Sequence, residues 1–458
     1  MYIYLPCIFV VNTINQLNIK IMRRSIFNHL VAWKESSNRK VLLLRGARQV
    51  GKTFVVRELG KTFLNYVEVN LEIDTDVARF FNQNLDPSGI CQELSAFYGK
   101  PIRENETLLF FDEIQACPRA ISSLRFFYEN KPELHVIAAG SLIEFALAEL
   151  PSFGVGRIRS MFMYPMSFNE FLLAHQRDQL VELINQASPD NPMNPVFHEM
   201  LTNYYRNFQL TGGMPEVVNR IVENKSLLDG LNVLDDLSLS IRDDFSKYHR
   251  RVPESRIREV FASIVEQAGA KFVYANVVAK ASQPQIKEAL ELLIMAGLAF
   301  PVFHTSANGF PLAAQMDPKK FKVLLYDTGV FQHILGLNIR EYLVIEEMEM
   351  INKGSLAEIY AGLELIKAAS IFDKPQLFYW HRMERSSNAE VDYVIRQGDE
   401  IVPVEIKSGY SGKMQSMRLF MKEKNLNRGI RCSLENFGRN GNIEIVPLYA
   451  ISTLIKDN

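Results

Sequence analysis

The chain has 458 residues, 47% of them hydrophobic and 22% charged, with a formal net charge of -1. That length suits two or three domains, the balance is that of a soluble globular protein, and the near-zero charge does not mark a nucleic-acid binder, although a local basic face decides that question. Cys7, Cys91, Cys117 and Cys432 lie far apart without a C-x-x-C spacing, and no apolar run approaches the ~18 residues of a membrane span. A disulfide framework, a structural zinc site and a membrane partner are therefore not expected, and a reducing cytoplasm fits.

Residues 1–21 read as an extension without a role in the fold. Met1 to Val11 is apolar but lacks the basic start and small-residue cleavage site of a signal peptide, and Met22 is a candidate natural start. An amphipathic helix over Ile26 to Trp33 leads to the apolar run Leu42-Leu43-Leu44. This run opens into Gly46-Ala47-Arg48-Gln49-Val50-Gly51-Lys52-Thr53, with a helical stretch from Phe54 to Leu59 behind it. Strand, glycine-bracketed loop and helix in that order are the P-loop pattern. Gly46 and Gly51 let backbone N–H groups turn toward phosphates, and the cradle expected here runs from Gly46 to Phe54. Lys52 should reach the β- and γ-phosphates and the Thr53 hydroxyl should hold Mg²⁺.

Asn65 to Asn70 reads as a second strand and the region from Val77 to Phe97 as helical. Thr107-Leu108-Leu109-Phe110-Phe111-Asp112-Glu113 then supplies a buried strand that ends in two carboxylates. Asp112 is expected to hold Mg²⁺ directly or through water, and Glu113 to polarise the water that attacks the γ-phosphate. A helix from Ala120 to Tyr128 and a strand from His135 to Ala139 follow, and the strand runs into Gly140-Ser141. Ser141 is a candidate for sensing the γ-phosphate, for capping a helix over Leu142 to Ala148, or for both. Met161 to Met163 reads as a last strand. Before it, Arg157 is either a transition-state arginine, acting in cis or across a subunit boundary, or a solvated side chain. This alternation of strand and helix predicts a parallel sheet with helices on both faces.

Arg45 to Thr53, Phe111-Asp112-Glu113-Ile114-Gln115, Gly140-Ser141, Gly156-Arg157 with Tyr164-Pro165-Met166-Ser167-Phe168, and Gly212-Gly213-Met214-Pro215-Glu216 together resemble the prokaryotic AAA-superfamily ATPases of the archaeal-type group. The resemblance implies an α/β P-loop core of the additional-strand kind, with the sensor strand between the P-loop and Walker-B strands. It also implies a preference for ATP, and a helical lid containing Gly212 to Pro215. On their own residues those glycines read as a turn between helices.

From Leu234 to Leu335 the chain changes character, and helical periodicity dominates from Arg256 to Gln267. Tyr274 to Lys280, a turn at Ser282-Gln283-Pro284-Gln285 and a helix from Ile286 to Met295 fit a helix-turn-helix, with wing strands over Leu298 to Phe303 and Phe321 to Tyr326. This resembles the winged-helix segment of the same group. Gln283, Gln285 and Lys287 would face DNA, against which Glu288 and Glu291 weigh, so contact with a protein is an equal alternative.

Farther on, Gly354 to Glu358 opens a helix, and Glu390 to Ile395 and Ile401 to Lys407 read as strands. Alternate residues of a strand share a face, so Glu405 and Lys407 project together, and Asp392 on a neighbouring strand can join them. With Glu358 this resembles the PD-(D/E)xK restriction-endonuclease-like α/β fold, which implies a possible Mg²⁺ nuclease site, although no Pro precedes Asp392. The expected division is 1–21 extension, 22–233 P-loop core and lid, 234–340 winged-helix-like domain and 341–458 nuclease-like domain. The expected function is ATP binding and Mg²⁺-dependent hydrolysis coupled to movement of the DNA-binding and nuclease-like domains, in a possible homo-oligomer. The alternatives are an ATP-gated DNA-processing nuclease and a nucleotide switch on a protein partner with an inactive nuclease-like domain.

Overall fold

A computed structural model describes residues 22–83, 85–149, 156–248, 252–336, 353–382, 389–410 and 412–455. The expected extension 1–21, Cys7 and the expected boundary at 340/341 lie outside the described residues. The chain divides into two compact units, one ending at Tyr164 and including Ile371–Asp373, the other holding Pro165–Ser370 and the chain from Lys374 onward.

In the first unit, helix α1 (Ile26–Glu35) precedes β1 (Val41–Arg45), and α2 (Lys52–Gly60) follows the glycine loop. Then come β2 (Asn65–Asn70), α3 (Pro87–Tyr98), β3 (Thr107–Asp112), α4 (Pro118–Asn130), β4 (His135–Gly140), α5 (Ile143–Glu149) and β5 (Ile158–Phe162). All five strands run parallel in the order β2-β3-β4-β1-β5. Burial follows that order. β3 and β4 are buried along their whole length and β1 at every residue but its last, whereas β2 alternates and β5 begins partly exposed, as edge strands do. Leu43, Val67, Phe111, Leu94 and Phe127 belong to the core built between this sheet and its helices. The helical region expected over Val77 to Phe97 is broken: the Asp86 carboxylate caps a new helix by accepting from Gly89 N at 3.2 Å, with Pro87 at its first position.

The second unit starts with helices α6 (Phe168–Ala174), α7 (Asp178–Gln186), α8 (Pro195–Thr211), α9 (Pro215–Asn224), α10 (Leu227–Asp244), α11 (Glu254–Glu266) and α12 (Gln283–Met295). The helix expected over Tyr274 to Lys280 is corrected to a single 3-10 turn, Tyr274–Asn276. β-branched Val277 and Val278 lose side-chain freedom in a helix, and Asn276 competes with the backbone for hydrogen bonds. α12 starts on a capping box between Ser282 and Gln285.

β6 (Ala299–Thr305) and β7 (Met316–Leu325) pair antiparallel, close to the strands expected there. β6 also pairs in parallel with β8 (Leu377–His381), so the hairpin continues into a sheet of order β7-β6-β8-β9 rather than standing free. Between them lie α13 (Thr328–Ile334) and α14 (Lys353–Ala368). The single strand expected over Glu390 to Ile395 is two: β9 (Glu390–Val391) pairs with β8, and β10 (Tyr393–Gln397) pairs with β11 (Glu400–Ile406). Asp392 sits at the break. A second sheet, β10-β11-β12-β14-β13, is completed by β12 (Gly429–Ser433), β13 (Gly438–Asn440) and β14 (Ile443–Pro447).

Gly212 and Gly213 join α8 to α9 by close approach. The Gly213 amide donates to Asp327 Oδ2 at 2.7 Å, and Gly213 O accepts from Met166 N at 2.6 Å. A Cβ on Gly212 would lie 2.1 Å from Asp327 Oδ1, and one on Gly213 would lie 2.2 Å from Met166 O. Burial pushes the Asp327 carboxyl above its ordinary range, while the Gly213 amide opposes the shift. Because a backbone oxygen cannot swing aside, Gly213→Ala is expected to destabilise the protein by about 1–3 kcal/mol or more, read as a lower urea midpoint.

Candidate functional site

Parallel register brings the ends of three strands to one edge. Arg45 is paired with Gly140 and Asn70 with Asp112, so the loop after β1, the carboxylates after β3 and Ser141 after β4 emerge together. Open α/β sheets bind ligands at this edge. Gly46 takes φ +147 and a Cβ there would meet Met163 O at 2.1 Å, while Gly51 takes φ +94 at the start of α2. Both expected glycines are thus demanded by the backbone. Val55 N donates to Gly51 O at 3.1 Å, which leaves the amides of Lys52, Thr53 and Phe54 in the first turn without an intrahelical acceptor.

The Lys52 ammonium folds over the loop, donating to Gly46 O at 2.9 Å and Ala47 O at 2.7 Å. Burial lowers its pKa to about 8; Glu113 and Asp112 pull it up and Arg48 pushes it further down. Thr53 Oγ1 donates to Asp112 Oδ2 at 2.9 Å, which puts together the hydroxyl and carboxylate that Mg²⁺ needs; the residues present fit that ion. Burial raises the Asp112 pKa, and the Thr53 hydrogen bond opposes it.

Glu113 sits in a left-handed turn at φ 49. Its Oε2 accepts from Gln115 Nε2 at 2.5 Å and from the Ser141 hydroxyl at 3.4 Å, while Arg48 Nε donates to Ser141 Oγ at 3.2 Å. The structure therefore brings Ser141 to Glu113. Sequence reasoning missed two supports. Arg24 donates to Val50 O at 2.5 Å and Tyr164 O at 2.7 Å, which ties the loop down, and nothing in the sequence around it signals that. Gln115 stood inside a quoted motif without a role, and Gly140 makes room for it, since a Cβ there would lie 2.0 Å from Gln115 Oε1.

Arg157 is not brought to this cluster. It immediately precedes β5, whose first residue, Ile158, is in register with Val41 at the start of β1, and its guanidinium pairs with Glu129. The expectation of a role in cis is corrected on that ground: parallel strands place Arg157 at the edge of the sheet opposite the phosphate loop.

In the second unit the four expected C-terminal residues converge with two that sequence reasoning missed. Lys407 Nζ donates to Glu405 Oε1 at 2.8 Å, as their shared strand face requires, and Asp392 Oδ2 accepts from Ile406 N at 2.7 Å. Glu358 on α14 accepts from Lys322 Nζ at 2.7 Å, and Glu390 lies 2.5 Å from the same ammonium. Lys322 is 1% exposed on β7. A lysine interrupting the apolar run from Phe321 to Tyr326 was the available signal, because inward lysines are rare unless paired. Burial pushes Glu358, Glu405 and Asp392 upward; Lys322 opposes that in Glu358 and Asp392, and Lys407 in Glu405. Among the described residues no group of three His, Cys, Asp or Glu side chains is placed to hold a metal ion. The cluster does not fit the Mg²⁺ that the nuclease resemblance implies, because Lys322 takes up Glu358 and Glu390, Lys407 takes up Glu405 and the Ile406 amide takes up Asp392.

A glycine-bent loop after a central parallel strand, its lysine over the loop carbonyls and a Thr–Asp pair beside it define the first unit as a P-loop NTPase fold. Residues 38–172 match the family described as an AAA domain. Residues 202–341 and 353–451 match two families described as domains of unknown function, DUF8612 and DUF4143. No curated protein matches the chain. Similar solved structures include the Walker-type ATPase of Pyrococcus abyssi, 15% identical over 69% of this chain and 96% of that one, with a TM-score of 0.44. Another is the ORC1 protein of Aeropyrum pernix in complex with DNA, 13% identical over 70% of this chain and 92% of that one, with a TM-score of 0.28. No helix among the described residues is long and apolar enough to cross a membrane.

The lowered pKa of Lys52 sets a pH dependence. Below about 8 the free protein presents an ammonium to phosphate; above it the neutral amine must first be protonated. ATP affinity is expected to weaken by up to about tenfold per pH unit above that point, and Lys52→Arg should abolish the trend, as calorimetric titration across the range would show.

Proposed function

We propose that the protein binds ATP with Mg²⁺ and hydrolyses it, and that hydrolysis moves winged-helix-like and nuclease-like segments relative to the P-loop core. The observation that carries the proposal is the convergence of Lys52, the Thr53–Asp112 pair and Glu113 at one edge of a parallel sheet. The loop amides from Gly46 to Phe54 and the Lys52 ammonium bind the triphosphate. Thr53 and Asp112 would hold Mg²⁺, which would supply positive charge beside the triphosphate. Glu113 orients the attacking water and accepts its proton, with Ser141 beside it to report the γ-phosphate. The AAA match supports ATP over another nucleotide. Arg157, half-exposed, is left for a role across a subunit boundary in a homo-oligomer.

The proposed division remains core and lid at 22–233, winged-helix-like domain at 234–340 and nuclease-like domain at 341–458. A cleft of about 650 Å³ lined by Lys271, Tyr274, Gln283, Lys287, Lys319 and Phe321 supports DNA as a partner of the middle segment, while the 3.6 Å pairing of Lys287 with Glu291 weighs against it. The unpaired, buried state of Cys91, Cys117 and Cys432 supports a cytoplasmic setting. A second reading, a nucleotide switch on a protein partner with a nuclease-like domain that has lost its chemistry, is favoured by Lys322 in the acidic cluster.

Glu113→Gln is expected to keep ATP affinity while lowering turnover by about 10²–10⁴-fold, and Lys52→Ala to lose both, measured as phosphate release alongside nucleotide titration. Unchanged turnover in Glu113→Gln would remove Glu113 from the reaction.

A further inference from the structure

The C-terminal cluster gathers four carboxyl groups, Glu358, Glu390, Asp392 and Glu405, from α14, β9, the β9–β10 break and β11. Left alone inside a protein, such a group needs counter-charge, and a divalent cation is the usual answer in nuclease-like folds of this shape. Here the counter-charge comes from the chain itself. Lys322 reaches in from β7, an element outside the Glu-x-Lys pattern, and its ammonium bridges Glu358 Oε1 at 2.7 Å and Glu390 Oε1 at 2.5 Å. Lys407 takes Glu405 Oε1, and the Ile406 amide takes Asp392 Oδ2.

We propose that the Lys322 ammonium permanently occupies the place of a divalent cation, so that the cluster is an internal ion-pair network holding α14, β7 and β9 together rather than a metal site. The inference deepens the second reading above, of a nuclease-like domain without nuclease chemistry.

Three observations carry it. Lys322 is 1% exposed, so it cannot swing out to solvent to admit a cation without opening the core. Two carboxylate oxygens are already in contact with its Nζ, and Lys322 also feels Asp392, which together hold its charge against burial. Tyr393 Oη donates to Glu358 O at 2.7 Å, and a Cβ on Gly362 would lie 2.4 Å from that same Oη, so the helix that presents Glu358 is clamped at this distance. Two carboxylates remain in excess over the two ammoniums, and one of the four, Asp392, is held by the Ile406 amide instead. Glu405 Oε2 is buried without a hydrogen-bond partner, which leaves it as a carboxylate oxygen still open to a cation.

The test uses the full chain without nucleotide, in an Asp112→Asn background that removes the P-loop carboxylate from the count. Mn²⁺ is titrated and followed by the loss of its free-ion electron paramagnetic resonance signal. The parent is expected to bind no Mn²⁺ at millimolar concentration, and its melting temperature to be the same in EDTA and in Mn²⁺. Lys322→Gln is expected to gain one Mn²⁺ equivalent that Glu405→Gln then removes. One Mn²⁺ equivalent bound by the parent and lost in Glu405→Gln overturns the proposal, as does a folded Lys322→Gln that gains none. If Lys322→Gln does not fold, the parent decides alone: a melting temperature raised by Mn²⁺, with the rise absent in Glu405→Gln, overturns the proposal, and equal values uphold it. ATP turnover by the unmodified protein tests the ATPase reading separately, so the two can fail independently.

Discussion

Everything at the nucleotide edge depends on one constraint, the parallel register of β1, β3 and β4. Parallel strands end where their partners end, so fixing Arg45 against Gly140 and Phe111 against Ala138 also fixes where Gly46, Asp112, Glu113 and Ser141 leave the sheet. A slip of one residue would move every side chain of these strands to the opposite buried face, upsetting the packing on both sides, and separate Thr53 from Asp112 at the same time. The buried runs Leu42 to Leu44 and Leu108 to Phe111 therefore serve packing and chemistry together. The chain spends its most apolar residues on the strands that carry its most polar ends.

The two acidic clusters answer the same electrostatic problem differently. At the P-loop, Asp112 is buried but satisfied by a hydroxyl and a backbone amide, groups that a cation can replace at small cost. At the C-terminal cluster Glu358, Glu390 and Glu405 are paired with ammoniums, which a cation must displace as charges, while Asp392 accepts from the Ile406 amide. Removing one partner of a buried ion pair leaves the other uncompensated, and that penalty commonly exceeds the worth of the pair. The first arrangement is open to exchange and the second is closed. Buried charge alone does not distinguish them; the identity of the partner does.

Much of the first unit was legible in advance. The apolar runs gave the central strands, and Gly46, Gly51, Lys52 and Thr53 gave the loop, because each residue type there is demanded by local backbone or phosphate chemistry. The shared strand face of Glu405 and Lys407 was likewise a local property. Features set by distant partners were not legible. The helix expected over Tyr274 to Lys280 failed on Val277 and Val278, and the split of the Glu390 to Ile395 strand arose because its two halves pair with different sheets. Arg157 was open to a catalytic or a solvated role by its sequence, and strand register sets it at the edge of the sheet opposite the phosphate loop.

By itself the sequence determined the order of strands and helices, the phosphate loop and the pair of acids after β3, since these depend on side chains within a few residues of one another. Only the tertiary structure decided that Arg24 would tie down Val50 across the unit, that Gln115 and Ser141 would share one oxygen of Glu113, and that Lys322 would enter an acidic cluster whose other members lie far along the chain. Apart from that of Gln115 with Glu113, two residues away, those contacts join residues separated by long stretches of sequence, and their distances exist only once strand pairing and helix packing have fixed where each backbone runs.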